Sequence, residues 1–116
     1  MLFRSPGANA NSVAEFLVTQ LLTLWRRVPE LSISREKFSD SNSLPLLQTL
    51  KGKSVGIVGM GHIGKAAAVM LNRGFGASIC YWNRTRKPEV EKSLNAQYLE
   101  LQALFRGCAA IVVAIP

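Results

Sequence analysis

Six consecutive residues carry the plainest chemistry. Gly59, Met60, Gly61, His62, Ile63 and Gly64 spell G-x-G-x-x-G. Glycine at the first position permits a tight turn. At the second it lets a pyrophosphate approach bare main chain, and at the third it lets a helix pack closely on a strand. The flanking residues supply the context this spacing needs. Ser54 to Val58 is short, apolar and β-branched, as a buried strand requires, and from Lys65 the run Ala66-Ala67-Ala68-Val69-Met70-Leu71 is helical. A helix starting here aims free N–H groups and a partial positive charge at phosphate. The bland alternative is a glycine turn that only packs. Strand, turn, helix and a second strand at the right distance agree on a nucleotide site instead.

The residues that select the nucleotide follow. A fingerprint that takes NAD usually has an acid about 20 residues on, accepting from the ribose 2′-OH. Here that stretch reads Tyr81-Trp82-Asn83-Arg84-Thr85-Arg86-Lys87, and Asn83 occupies the acid's place. No carboxylate there repels a 2′-phosphate. Arg84 can pair with one, Asn83 and Thr85 can donate hydrogen bonds, and Arg86 or Lys87 adds long-range attraction. NADP(H) is therefore expected over NAD(H), which stays possible; the alternative is that these bases merely solvate a turn. The one histidine, His62, lies on the phosphate loop, so its backbone N–H matters more than its ring. General acid–base catalysis needs a base near the reacting carbon, and no catalytic residue is assigned.

Composition bounds the rest. The chain has 116 residues, 48% of them apolar, about one small domain with a real core. Its net charge of +7 suits an anionic partner. The bases are scattered, with no run denser than Arg84, Arg86 and Lys87, which argues against a nucleic-acid arm. Cys80 and Cys108 read as small buried hydrophobes in a reducing compartment, and no metal spacing is present. Residues 1–10 lack the apolar core of a secretory signal, and the longest apolar run, 108–116, is too short to span a bilayer. A cytoplasmic location with no membrane partner is the expectation.

Along the chain, residues 1–11 read as an irregular lead-in. A helix is expected from Ser12, capped by the S-x-x-E pair Ser12 and Glu15 and stopped by Pro29. Its apolar residues, Val13, Phe16, Leu17, Leu21, Leu24 and Val28 with Val18, Leu22 and Trp25, cover more than one side. Residues 30–45 are a serine-rich surface connection, and Leu46, Leu47 and Leu50 lead into the first strand. After the fingerprint helix come a strand at 78–82, a Pro88-led helix to Leu94, a short strand at 96–99, a helix at 101–105 closed by Gly107, and a continuously apolar strand at 109–115. The alternation implies an α/β fold: a partial Rossmann domain, a doubly wound parallel sheet of about four strands with helices on both faces. Residues 1–50 form a lead-in segment and 51–116 the first part of the dinucleotide-binding domain. Strands one and four are neighbours, so Gly59 to Gly64, Asn83 to Thr85 and Ile115-Pro116 surround one nucleotide.

These residues resemble the D-isomer-specific 2-hydroxyacid dehydrogenases. Asn9-Ala10 with Ser12-Val13-Ala14-Glu15, the run from Leu50 to Gly64, Gly74-Phe75-Gly76 and Ile111 to Pro116 match that family's landmarks across nearly the whole chain. The segment Tyr81 to Pro88 is similar to the glyoxylate and hydroxypyruvate reductase branch, where an Arg-containing turn goes with NADPH. The resemblance implies hydride transfer between a nicotinamide and a small 2-keto or 2-hydroxy acid. It places His62 and Ile63 at the pyrophosphate, Asn83, Arg84 and Thr85 around the adenine ribose, Ile115 and Pro116 against the adenine, and Val13 near the nicotinamide. It makes the 12–28 helix a homodimer contact. It sets the family's catalytic Arg, Glu and His after Pro116 and its substrate loop before Met1, so the chain is expected to be a fragment, inactive alone. A non-enzymatic nucleotide-sensing or interaction protein is the alternative, and nucleic-acid binding is not expected.

Overall fold

Strand β1, Ser54–Val58, forms where Val55, Ile57 and Val58 supply β-branched side chains, and four of its five residues are buried. The structure is a computed structural model that describes residues 6–29 and 48–115. Around β1 the chain adds α1 (Pro6–Trp25), α2 (His62–Val69), β2 (Ser78–Trp82), α3 (Pro88–Leu94), β3 (Gln97–Tyr98), α4 (Leu101–Gly107) and β4 (Ala110–Val113). All strand pairs are parallel and the order is β3-β2-β1-β4. Val55 stands between Ile79 of β2 and Ala110 of β4, and Val58 between Trp82 and Val113. The expected α/β class, four-strand count and β1–β4 adjacency are all found.

Alternation along the strands divides the sheet into two cores. Val55, Ile57, Ile79, Tyr81 and Val112 face one side and pack with Ala14, Val18 and Leu21 of α1, with Ala67 and Ala68 of α2, and with Val90 and Leu94 of α3. Val58, Cys80 and Ile111 face the other and meet Leu101 and Leu104 of α4. Helices therefore cover both faces, as the doubly wound reading requires. Each large side chain so buried contributes about 1.5–3 kcal/mol.

Several boundaries differ from expectation: β3 is only Gln97–Tyr98, α4 runs on to Gly107, and three larger differences lie in α1 and β4. Helix α1 begins at Pro6, not at Ser12. Proline suits a first helical position, where its missing N–H is not called on, and burial of Ala10 carries the helical face upstream. Ser12 and Glu15 then sit on exposed helix interior instead of forming a cap. The helix also stops at Trp25, ahead of Pro29. Arg27 takes a left-handed φ of 54° and its N–H reaches the Leu24 carbonyl at 3.2 Å, an αL ending. Trp25 is tied down by its indole N–H, which donates to the Gln48 carbonyl at 2.7 Å. Finally, β4 spans Ala110–Val113 rather than 109–115, and only Val112 is buried. It is the edge of the described sheet, so Val113 is 55% exposed. The 30–45 connection, Leu46, Leu47 and Pro116 lie outside the described residues.

Candidate functional site

The C-terminal ends of β1, β2 and β4 meet at Gly59. Its N–H donates to the Trp82 carbonyl at 2.8 Å, and the Ala114 N–H donates to the Val58 carbonyl at 2.8 Å. Gly59 has φ +99°, and a Cβ there would stand 2.8 Å from Ile115 Cγ2; only glycine serves both needs. Five residues on, a Cβ at Gly64 would collide with the Gly59 carbonyl oxygen. That contact is the close helix–strand approach the third glycine provides.

Between them Gly61 is different. It caps α2 with φ −85° and offers no side-chain cap. A Cβ at Gly61 would meet nothing within 4 Å. The space beside its main chain is open, and the first turn of the helix leaves N–H groups with no intrahelical partner. The residues present fit a dinucleotide's pyrophosphate. His62 is exposed and Ile63 half-buried at that turn. A cleft of about 330 Å³ opens there, lined by Met60, Gly61, His62, Lys65, Lys87 and Glu89 among others.

The sequence placed Asn83 at the ribose, and the structure gives it a second task. Its Oδ1 accepts the Met60 N–H at 2.9 Å, and its Nδ2 donates to the Thr85 carbonyl at 2.8 Å. Asn83 thus ties the glycine turn to the turn after β2. Arg84 is exposed and takes no hydrogen-bond or ion-pair partner among the described residues. Arg86 is engaged: its Nη2 donates to Glu91 Oε1 at 2.7 Å and its Nε to Oε2 at 3.2 Å. Thr85 is exposed. Ile115 is exposed against Gly59, and Val13 is half-buried on α1. Ala10 and Asn11, just before Val13, face His62 and Lys65 across a hollow of about 350 Å³.

A network beneath this turn was not foreseen. The Tyr81 hydroxyl donates to Glu91 Oε2 at 2.6 Å and accepts the Lys87 N–H at 2.7 Å. Burial, joined by the Glu91 carboxylate, pushes the Tyr81 phenol above its ordinary range, and the Lys87 N–H opposes this. Arg86 and then the Tyr81 hydroxyl hold the Glu91 carboxyl below the usual carboxylate range, while Glu91 raises Arg86. The sequence did hold a signal: a tyrosine at an inward position of an aliphatic strand needs a partner for its hydroxyl.

Other features stand apart. Cys80 and Cys108 are free thiols on the α4 side of the sheet, and burial, with Cys80 alongside, pushes the Cys108 thiol up to about 11. A larger apolar groove of about 490 Å³ lies between the end of α1, Leu50 and Phe75, away from the glycine turn. Among the described residues no three His, Cys, Asp or Glu side chains group to hold a metal, and no helix is long and apolar enough to cross a membrane.

Comparison with known proteins agrees with this geometry. Residues 18–116 match the family described as D-isomer specific 2-hydroxyacid dehydrogenase, NAD binding domain. The glyoxylate reductase of Thermococcus litoralis is 35% identical over 97% of this chain and 36% of its own length. A crystal structure from Pyrococcus horikoshii superposes with a TM-score of 0.82 at 35% identity, over 95% of this chain and 34% of that one. The D-lactate dehydrogenase of Lactobacillus jensenii, solved with NAD+, gives 0.76 at 28% identity over 100% and 33%. The chain thus spans about a third of the length of these relatives. With its fingerprint on a β1–α2 turn and its sheet superposing on theirs, the chain belongs to the D-isomer specific 2-hydroxyacid dehydrogenase family, within the NAD-binding domain.

Proposed function

We propose that this chain is the NADP(H)-binding part of a reductase acting on the CH–OH group of a small 2-hydroxy acid, reducing 2-keto acids such as glyoxylate or hydroxypyruvate. The nicotinamide supplies the hydride when bound. The chain's own residues bind and orient it. The N–H groups at Gly61, His62 and Ile63 face the pyrophosphate, Gly64 sets the helix, Ile115 and Pro116 wall the adenine, and Val13 lies toward the nicotinamide. Residues 1–50 lead into the domain and 51–116 form its first part.

One observation carries the cofactor preference: Arg84 is a cation with no partner among the described residues where an NAD enzyme carries an acid, while Asn83 is engaged with Met60. A 2′-phosphate would gain a charge-assisted bond there, worth about 1.5–3 kcal/mol. Titrating the chain with both reduced cofactors tests this. NADPH is expected to bind at least about tenfold tighter than NADH, and Arg84→Ala to remove most of that difference. Equal or tighter NADH binding overturns the preference.

With its one histidine on the phosphate loop, the chain alone is expected to oxidise no NADPH with glyoxylate or hydroxypyruvate. A homodimer contact through residues 12–28 is supported by exposed Phe16 and Leu24 on α1. A cytoplasmic location is supported by two unpaired cysteines.

A further inference from the structure

The turn between β2 and α3 holds three cations, Arg84, Arg86 and Lys87, and the structure treats them differently. The Arg86 guanidinium is bidentate on the Glu91 carboxylate, with its central carbon 5.2 Å from the centroid of the Tyr98 ring. A guanidinium with a carboxylate on its fork and a ring at its face has its demands met within the protein. Arg84 has no such partner among the described residues. Lys87 lines the cleft beside Gly61.

The same carboxylate fixes the backbone. Glu91 accepts from the Tyr81 hydroxyl, whose oxygen in turn accepts the Lys87 N–H. The Tyr81 side chain is fully buried and stands edge-on to Tyr98 at 5.5 Å, so the hydroxyl is a fixed point. The turn is therefore pinned at both ends: Asn83 on the Met60 N–H, Lys87 on Tyr81. A pinned turn has less freedom to lose when a ligand orders it.

We infer that Tyr81 and Glu91 are positioning residues for cofactor selection: they draw Arg86 out of the ribose site and hold the turn so that Arg84 meets a 2′-phosphate monoester. This rests on the reading of the turn as the ribose-phosphate site. Adenosine 2′,5′-bisphosphate and adenosine 5′-monophosphate differ only in that phosphate, and calorimetric titration of the full chain with each reads it directly. Arg84→Ala should weaken the bisphosphate at least tenfold. Arg86→Ala should weaken it less than threefold, because its charge already belongs to Glu91. Tyr81→Phe should lower the ratio of bisphosphate to monophosphate affinity about fivefold, with monophosphate affinity kept within twofold. Arg86 is 62% exposed, so its variant decides the matter even if Tyr81→Phe folds poorly. The inference is overturned if Arg86→Ala costs as much as Arg84→Ala, or if Tyr81→Phe weakens both ligands alike or neither. A wild-type ratio near one overturns the NADP(H) reading and the inference with it, whereas a high wild-type ratio that Tyr81→Phe leaves unchanged overturns the inference alone.

Discussion

At Gly64 one methyl group is enough to separate packing from binding. A Cβ there would run into the Gly59 carbonyl oxygen, which is backbone and cannot swing aside. Gly64→Ala is expected to destabilise the chain by about 1–3 kcal/mol, the range for overpacking, in a denaturant titration. Unchanged stability would show that α2 does not lie so close to β1. Gly59 faces a double constraint of φ +99° and the nearby Ile115. Both roles could be read from the spacing of the glycines. The role of Asn83 could not. Its amide was legible as the group replacing an acid, but its bond to the Met60 N–H depends on how two turns 23 residues apart are brought together. Removing the Arg84 guanidinium is the matching residue-scale prediction, with a loss of about tenfold in NADPH affinity and little change for NADH.

Helix α3 is seven residues long and is anchored more by its charges than by its length. Val90 and Leu94 bury its inner face, and Glu91 reaches back to Tyr81 and Arg86. Because the folded carboxyl titrates below the 4.5 of an ordinary glutamate, Glu91 adds stability that is fully present above that value. That stability is lost as pH falls through the folded value. The melting temperature of wild type should therefore fall faster below about pH 4.5 than that of Glu91→Ala, the two curves converging in acid. Parallel curves would remove the ion pair from the account. Apolar runs and periodicity revealed every strand and the α2, α3 and α4 helices, although β3 is only the two residues Gln97–Tyr98 and buries neither of them fully. They misplaced the start of α1. The pair Ser12 and Glu15 has cap chemistry, but Ala10 is buried and extends the packed face a turn earlier. Local cap signals lose to tertiary burial there.

Across the whole molecule the sheet is asymmetric. Its β3 side ends in a two-residue strand, whereas the β4 side presents Val113 and Ile115, each 55% exposed. An open apolar edge invites pairing with another strand. Val113→Lys should raise the concentration at which the chain begins to scatter light, with the melting temperature little changed. No shift in that onset would mean that the edge is not the sticky surface. The sequence pointed the other way: residues 109–115 are continuously apolar, as a strand covered on both faces would be. The structure leaves β4 at the margin of the described sheet. The two-sided apolar surface of α1 reads the same way, one side buried on α2 and Phe16 and Leu24 left facing out.

The central claim is that phosphate rests on open main chain at Gly61, and Gly61→Ala tests it most directly. A Cβ there touches nothing in the chain itself, so the variant should keep its fold, losing under about 1 kcal/mol at this N-cap. Calorimetric titration with NADPH and NADH should then show both bound at least about tenfold more weakly than by wild type. Undiminished binding of either nucleotide by the folded variant would contradict the account.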